Sequence, residues 1–249
     1  MKNINWSELG FGYFKTDYNV RCEYKDGKWG ELYATEDVNM NIHMASTCLH
    51  YGQEVFEGLK AFRGADGKVR LFRVEENAKR MINSGEYLKM AVPSVELFTK
   101  ACIEAVKLNA DYIPPYGSGA SLYLRPMLIG VGPQVGVKPS ADYLFAVFVT
   151  PVGPYYKDGF NCIKVIIDYD HDRAAPKGTG HVKVGGNYAA SLDSGEIAHQ
   201  KGFASVIFLD PATKQYIDEC SAANFFGIRD GKYITPDSHS VLPSITNKS

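Results

Sequence analysis

The run from Asp142 to Thr150, DYLFAVFVT, constrains the fold of this chain more than any other stretch. Successive side chains of a strand point to opposite faces, so an uninterrupted apolar run leaves neither face for water. The run therefore predicts a strand that is buried on both faces. A second predicted strand, Ser121 to Ile129 (SLYLRPMLI), precedes it. A chain built around this pair needs further elements that cover both sides.

The residues ahead of these strands predict more β structure and two helices. Residues 10–35 predict alternating β structure around a turn at Asp26-Gly27, and two antiparallel strands joined at Asp66-Gly67 are predicted between Tyr51 and Arg73. A helix is predicted from Val74 to Met90. A second helix follows Pro93 and stops at Pro114-Pro115. Ser94 is expected to cap the second helix.

A Pro-, Gly- and Tyr-containing segment from Pro151 to Phe160 is the predicted domain boundary. Beyond it the sequence predicts a strand over Asn161 to Asp168, a helix over Tyr188 to Gln200 and a strand over Ala204 to Leu209. Further β structure is predicted over Gln215 to Cys220 and over Phe225 to Ile234, where Asp230-Gly231 forms a hairpin turn. The sequence therefore predicts an α+β fold in two domains.

Composition excludes several classes of protein. A net charge of −1, with scattered basic residues, gives no sign of a nucleic-acid partner. The apolar run from Tyr143 to Val152 is too short to span a membrane, and the first residues lack a secretory signal. The 5 cysteines form no CxxC pair, which favours reduced thiols in the cytoplasm. The 6 histidines include no HxxxH or HExxH pair, so no metal site is predicted.

The stretch from Gly178 to Tyr188, GTGHVKVGGNY, holds the candidate for chemistry. Its glycines allow close approach of backbone or of a flat ligand. Lys183 has no acidic neighbour in sequence, which makes it a candidate for a lowered pKa and for Schiff-base chemistry with a carbonyl. Taken alone, the stretch more often forms a surface loop with a solvated lysine. The phosphate-loop and dinucleotide patterns are both absent from it.

Six motifs in order make the chain similar to the class IV aminotransferases that depend on pyridoxal phosphate, and within them to the branched-chain amino acid aminotransferases. The motifs are FGYFKTDY at Phe11, YGQEVFEGLKAFR at Tyr51, SLYLRPMLIG at Ser121, PVGPYY at Pro151, GTGHVKVGGNY at Gly178 and IDECSAANFF at Ile217. The resemblance implies a D-amino acid aminotransferase-like architecture of fold type IV. Its expected parts are a small α+β domain (1–152), an interdomain loop (153–160) and the first part of the larger cofactor-binding domain (161–249).

The resemblance also implies roles for individual residues. Lys183 matches the lysine that links covalently to pyridoxal 5'-phosphate and then moves protons as a neutral amine, with a pKa below the ordinary value of about 10.4. Glu219 matches the carboxylate that faces the pyridine nitrogen. The neighbouring Asp218 is expected to be the exposed one of the two, because alternation allows only one to point inward. The other matching cofactor-binding residues are Tyr188, Arg80, Arg173, Ile245 and Thr246.

Substrate binding is expected in the small domain. The resemblance implies an apolar pocket for Leu, Ile and Val side chains and a polar end for the distal carboxylate of glutamate or 2-oxoglutarate. The matching residues are Phe11, Tyr51, Phe56 and Tyr155 for the pocket and Tyr123 and Arg125 for the polar end. Each aromatic residue taken alone is more often part of a core. Val135 and Val137 match a loop that reaches the partner subunit's site, which implies a homodimer.

The sequence ends at LPSITNKS, where the chains of this family continue into a helix, further strands and a GTAA-like turn. The expectation is therefore a chain truncated in its C-terminal domain, with uncertain activity. The predicted reaction is transamination between L-branched-chain amino acids and 2-oxoglutarate. The alternatives are another class IV enzyme, of the D-amino acid aminotransferase or aminodeoxychorismate lyase type, and a non-catalytic module for cofactor binding or dimerisation.

Overall fold

The computed structural model describes residues 2–155 and 161–249. The chain divides into two compact units, Met1–Phe160 and Asn161–Ser249, here called unit 1 and unit 2. Residues 156–160 of the predicted interdomain loop lie outside the described residues. Within the described residues, no helix is both long and apolar enough to cross a lipid bilayer.

Unit 1 is built on an 8-stranded antiparallel sheet. Its strands are β1 (Asn19–Lys25), β2 (Lys28–Trp29), β3 (Tyr33–Thr35), β4 (Glu54–Phe56), β5 (Leu59–Arg63), β6 (Val69–Leu71), β7 (Ser121–Gly130) and β8 (Tyr143–Val152). The order is β2-β1-β8-β7-β5-β6, with β3 beside β1 and β4 beside β7. The apolar run of β8 lies between β1 and β7, and all its residues except Phe148 are buried. The prediction of a strand buried on both faces is confirmed.

Two helices cover one face of this sheet. They are α2 (Val74–Tyr87) and α3 (Val95–Leu108), which follow a short helix, α1 (Thr47–Tyr51). The hydroxyl of Ser94 accepts a hydrogen bond from the backbone N–H of Leu97 at 3.1 Å, so the predicted cap is confirmed. The Phe98 ring of α3 stacks on the Phe145 ring of β8 with centroids 5.8 Å apart. Full burial of a side chain of this kind stabilises the fold by roughly 1.5–3 kcal/mol.

The opposite face of the sheet carries the side chains that alternate with this core. In β7 these include Tyr123, Arg125 and Met127, which are half-buried, whereas the intervening Leu124 is fully buried. The register pairs Arg125 with Phe148 of β8. Aromatic and charged candidates for substrate binding therefore share one face of a rigid sheet.

The region from Tyr51 to Arg73 differs from its prediction in detail. The antiparallel hairpin of β5 and β6 around Asp66-Gly67 is confirmed. The region has three strands rather than two, because β4 pairs separately with β7. Helix α1 lies just ahead of this region, in residues for which no helix or strand was predicted. With 5 residues it is too short for its apolar periodicity to be read, and it ends at Gly52, whose φ is 58°.

Unit 2 has a small sheet flanked by helices. Its elements are β9 (Val165–Asp168), α4 (Gly185–Ala190), α5 (Leu192–Gln200), β10 (Ser205–Leu209), β11 (Ile217–Cys220), β12 (Gly227–Arg229) and β13 (Lys232–Ile234). The sheet order is β11-β10-β9, with β9 parallel and β11 antiparallel to β10. The predicted single helix from Tyr188 is wrong in its bounds, since it starts earlier and is divided at Ser191. The β12–β13 hairpin turns at Asp230-Gly231 as predicted.

Candidate active site

Lys183 and Tyr188 form the centre of the candidate site in unit 2. The Lys183 Nζ donates a hydrogen bond to Tyr188 Oη at 2.6 Å. The lysine lies just ahead of α4, between Val182 and Val184, which are both buried. Lys183 itself is half-buried, and the first turn of α4 brings the tyrosine back to it. The five-residue spacing of the sequence motif thus becomes a direct contact.

Asn187 holds the loop that carries the lysine. Its side-chain amide, which is buried, donates to the carbonyl oxygens of Thr179 at 2.7 Å and Val182 at 3.0 Å. Its Oδ1 accepts from the Thr179 hydroxyl at 2.7 Å. A glycine is required at position 180, because a Cβ there would lie 2.1 Å from the carbonyl oxygen of Ser240. These contacts fix the backbone on the N-terminal side of Lys183.

Both acids of the DEC motif on β11 are buried, so the prediction that Asp218 is exposed is wrong. Asp218 is 2% exposed and Glu219 is 5% exposed. Strand alternation does place the two acids on opposite faces, but the segment that includes Ser240 and Leu242 covers both of them. The Ser240 hydroxyl donates to Asp218 Oδ2 at 2.5 Å, and the Leu242 N–H donates to Glu219 Oε2 at 3.3 Å. A chain segment from outside the sheet supplies the cover that strand periodicity cannot reveal.

Burial raises the pKa of Glu219 to about 7, against the opposing effects of Arg173 and of the Leu242 N–H. Arg173 Nη2 lies 2.8 Å from Glu219 Oε2 and also donates to the carbonyl oxygens of Gly180, at 3.0 Å, and of Ser240. Glu219 Oε1 accepts from the side-chain amide of Asn224 at 3.1 Å. The carboxyl therefore exchanges its proton near neutral pH.

This carboxyl is expected to make the stability of unit 2 fall with rising pH. Its ordinary pKa is 4.5 and its folded value is higher, so the folded state binds the proton more tightly in the interval between the two. Between about pH 5 and about pH 8 the wild type should lose on the order of 3 kcal/mol of unfolding free energy relative to Glu219→Gln, at 1.36 kcal/mol per pH unit. Urea denaturation followed by circular dichroism measures both slopes.

Glu219→Gln also loses hydrogen bonds, but the resulting loss of unfolding free energy is independent of pH. Comparing the pH slopes of wild type and variant therefore removes that effect. Trp6 and Trp29 both lie in unit 1, so tryptophan fluorescence in the same samples reports that unit as an internal control. Parallel slopes for wild type and variant would contradict a raised pKa at Glu219.

Five of the predicted substrate residues come together in unit 1. The Phe11 ring makes edge contacts with the rings of Tyr123 and Tyr155, each with centroids 5.2 Å apart. The guanidinium of Arg125 lies 4.7 Å from the centroid of the Phe56 ring. Its Nη2 and Nε donate to Tyr123 Oη at 3.1 and 3.3 Å. Aromatic rings thus lie next to the guanidinium of Arg125 and the hydroxyl of Tyr123.

Tyr51 contacts a different part of unit 1. Its hydroxyl donates to the carbonyl oxygen of Val135, in the loop predicted to reach a partner subunit. Val135 and Val137 are both more than 80% exposed, at 85% and 86%. Exposed aliphatic side chains on a loop are what a contact with a second chain would cover.

Comparison with known proteins places these features in a family. The family profile for amino-transferase class IV matches residues 54–249. A branched-chain-amino-acid aminotransferase of Haemophilus influenzae is 54% identical over 100% of this chain and 74% of its own length. The chain belongs to the branched-chain-amino-acid aminotransferases.

Solved structures agree with this membership. The branched-chain amino acid aminotransferase of Escherichia coli superimposes with a TM-score of 0.74 at 27% identity, over 94% of this chain and 72% of the other. A second branched-chain amino acid aminotransferase, solved in complex with N-(5'-phosphopyridoxyl)-L-glutamate, gives 0.72 at 27% identity, over 95% and 72%. The two-domain fold type IV architecture is therefore confirmed, and this chain spans about three quarters of the relatives' length.

The donors present in unit 2 fit the pyridoxal phosphate used by this family. A primary amine, a phenol and a buried carboxyl are the groups that its aldehyde, ring oxygen and ring nitrogen require. Lys183 and Tyr188 already contact each other, and Glu219 lies close enough for Lys183 to lower its pKa. Arg173 Nε is buried without a hydrogen-bond partner among the described residues. Ile245 and Thr246 lie in a turn near the end of the chain.

Glu57, which pairs with Arg80, is a functional residue that was not predicted from the sequence. In this aminotransferase the guanidinium of Arg80 is paired with Glu57, which is fully buried, through bonds from Nε at 2.7 Å and Nη2 at 2.8 Å. Asn77 Nδ2 donates to the same carboxylate at 2.7 Å. The sequence signal was an acid directly after the strand residues EVF, of which Val55 is buried, a position where an unpaired charge is costly. Glu57 is the residue that orients Arg80.

Proposed function

We propose that this chain transfers the amino group of L-leucine, L-isoleucine or L-valine to 2-oxoglutarate, giving branched-chain 2-oxo acids and L-glutamate. Family membership supports the reaction class, and the 2.6 Å contact between Lys183 and Tyr188 is the single observation that carries the chemistry. The relative solved with a phosphopyridoxyl-glutamate ligand supports glutamate as one of the products.

Lys183 is the catalytic residue of this proposal. Pyridoxal 5'-phosphate, bound through the lysine, supplies an electron-withdrawing ring that stabilises negative charge at the substrate Cα. With the cofactor bound, the free Lys183 Nζ would move a proton from the substrate Cα to C4′ of the cofactor, acting first as a general base and then as a general acid. Tyr188 Oη holds that amine in place and, as the acceptor in the Lys183 bond, retains its own proton for donation.

Glu219 would face the ring nitrogen of the cofactor. A carboxyl with a pKa near 7 shares a proton readily with a base of similar strength, and a shared proton keeps the ring electron-withdrawing. Arg173 maintains negative charge on this carboxyl through its 2.8 Å contact. The roles of Glu219 and Arg173 are therefore coupled in the proposal.

Four residues are proposed to hold the cofactor phosphate: Arg80, Arg173, Ile245 and Thr246. A guanidinium fork suits a phosphate dianion, and backbone N–H groups of a turn can complete such a site. Arg80 is already oriented by Glu57 in unit 1, and Arg173 by Glu219 in unit 2. Each guanidinium would add the phosphate to an existing carboxylate partner.

The substrate side chain is assigned to unit 1. Phe11, Phe56 and Tyr155 offer apolar walls for an aliphatic side chain, whereas Tyr123 and Arg125 offer donors for a carboxylate. Tyr51 and the exposed loop of Val135 are proposed to act across a homodimer. A cytoplasmic location is also proposed, and it is supported by the free thiol state of all five cysteines.

The absorption spectrum of the purified chain with pyridoxal phosphate tests this function. The lysine-linked cofactor is expected to give a visible band that L-leucine removes and 2-oxoglutarate restores. Lys177→Ala, at an exposed lysine six positions before Lys183, should behave as the wild type. A band that responds to D-alanine but not to L-leucine would overturn the choice of substrate. A band that responds to neither would favour a non-catalytic cofactor-binding module.

A further inference from the structure

Lys60 shares a sheet face with the Tyr123–Arg125 pair. It lies on β5, and the register places it directly opposite Tyr123 of β7. Directly opposed residues of an antiparallel pair point to the same face, with Cβ atoms about 5 Å apart. Its neighbours Leu59 and Ala61 are buried on the other face. The side chain of Lys60 therefore starts beside the Tyr123 ring.

Lys60 is half-buried and has no carboxylate partner in the part of the chain that the structure describes. Burial alone lowers its pKa. By contrast, Lys25 and Lys79, which are 63% and 62% exposed, each have a glutamate within 3.1 Å. A lysine that gives up part of its hydration without an anion nearby is placed at a net cost. An anionic ligand on this face would offset that cost.

Arg125, on the same face of the sheet, is also a partly buried cation without a carboxylate partner among the described residues. Its guanidinium donates to Tyr123 Oη and lies over the Phe56 ring, and it forms no salt bridge among residues 2–155 and 161–249. The Tyr123 hydroxyl accepts from Arg125 and so keeps its proton for a ligand. The ring reaches along the sheet, because a Cβ at Gly58 would lie 2.2 Å from Tyr123 Oη. The Tyr123 ring thus lies beside the Arg125 guanidinium, 5.4 Å from its centroid, and the register places Lys60 opposite the same tyrosine.

We infer that Lys60 determines specificity for the acidic co-substrate, binding the distal carboxylate of 2-oxoglutarate or glutamate together with Tyr123 and Arg125. This inference rests on the proposed function. A carboxylate has two oxygens and about four acceptor positions, enough for a guanidinium, a hydroxyl and an ammonium at once. An aliphatic substrate does not bind the ammonium of Lys60. The flexible side chain can then place the ammonium in water while its methylene groups contact the apolar substrate.

Lys60→Met tests the inference, because methionine keeps much of the stem and removes the charge. The KM for 2-oxoglutarate is expected to rise about tenfold, as for loss of one charged hydrogen bond, with kcat and the KM for the 2-oxo acid of leucine changed less than about twofold. Lys60→Arg should restore most of the affinity. Lys68→Met, at an exposed lysine of the same β5–β6 hairpin, is the matched control and should match the wild type.

Calorimetry with glutarate provides a readout that does not depend on turnover. Glutarate should bind Lys60→Met about tenfold more weakly than wild type, whereas 4-methylpentanoate should bind both equally. Equal glutarate affinity in the two proteins, or an equal loss for both acids, would overturn the role of Lys60. Because the leucine-dependent spectrum is measured separately, failure of this inference is distinguishable from failure of the proposed reaction.

Discussion

Lys183→Ala is expected to lower kcat by about 10⁴-fold, at the upper end of what a positioned general acid–base contributes. The variant lacks the only group at this position that can both link to the cofactor and move the proton at the substrate Cα. The neighbouring Tyr188 is a phenol whose ordinary pKa of about 10 makes it a poor base at neutral pH. The measurement is the single-turnover rate of leucine deamination in the presence of saturating cofactor.

Lys177→Ala is the control for this variant, since it removes an exposed lysine from the same loop. The fold of Lys183→Ala should remain, because the buried Asn187 amide holds this loop through its bonds to the carbonyl oxygens of Thr179 and Val182. If the variant keeps more than about a tenth of the wild-type rate, proton transfer is assigned to the wrong residue.

Glu57→Gln is expected to destabilise unit 1 by about 3–5 kcal/mol, the usual effect of breaking a buried ion pair by removal of one partner. The variant replaces the buried carboxylate beside the Arg80 guanidinium, which is 13% exposed, with a neutral amide. Glutamine has the same shape, so the effect reports charge rather than packing. Urea denaturation followed by tryptophan fluorescence measures it, because Trp29 packs on Phe145 in the core of this unit.

Asp66→Asn is the matched control for Glu57→Gln. Asp66 and Arg70 also form a two-bonded ion pair, at 2.7 and 2.8 Å, but both side chains are about half exposed. Solvent screens such a pair, so its loss should leave the denaturation midpoint close to that of the wild type. Equal shifts for the two variants would show that the Glu57–Arg80 pair behaves as a surface pair.

Much of the fold follows from local signals in the sequence. The apolar run of β8, the Ser94 cap and the Asp66-Gly67 and Asp230-Gly231 turns each depend on a few adjacent residues, and each was found where predicted. Helix α1 and the separate strand β4 were missed, because elements of 5 and 3 residues contain too little periodicity to be recognised.

In the candidate site, too, contacts between residues close in sequence differ from contacts between distant residues in how far the sequence predicts them. The contact of Lys183 with Tyr188 joins residues five apart within one motif, and the resemblance matched both to the cofactor without predicting that they contact each other. The burial of Asp218 depends on Ser240, 22 positions later, and no local pattern contains that information. Glu57 was missed for a related reason, since its partner Arg80 lies 23 positions away in the sequence.

The parallel pairing of β9 with β10 affects the order of events during folding. Residues 169–204, which include Arg173, Lys183 and Tyr188, form the connection between these two strands. A parallel pair cannot form until such a connection closes, and closure of a long loop is an entropic barrier that slows folding. Lys183 therefore lies in the part of the chain that must become ordered before this sheet can form. Its Tyr188 contact lies within the connection, but the surrounding sheet and Glu219 are acquired only when the strands meet.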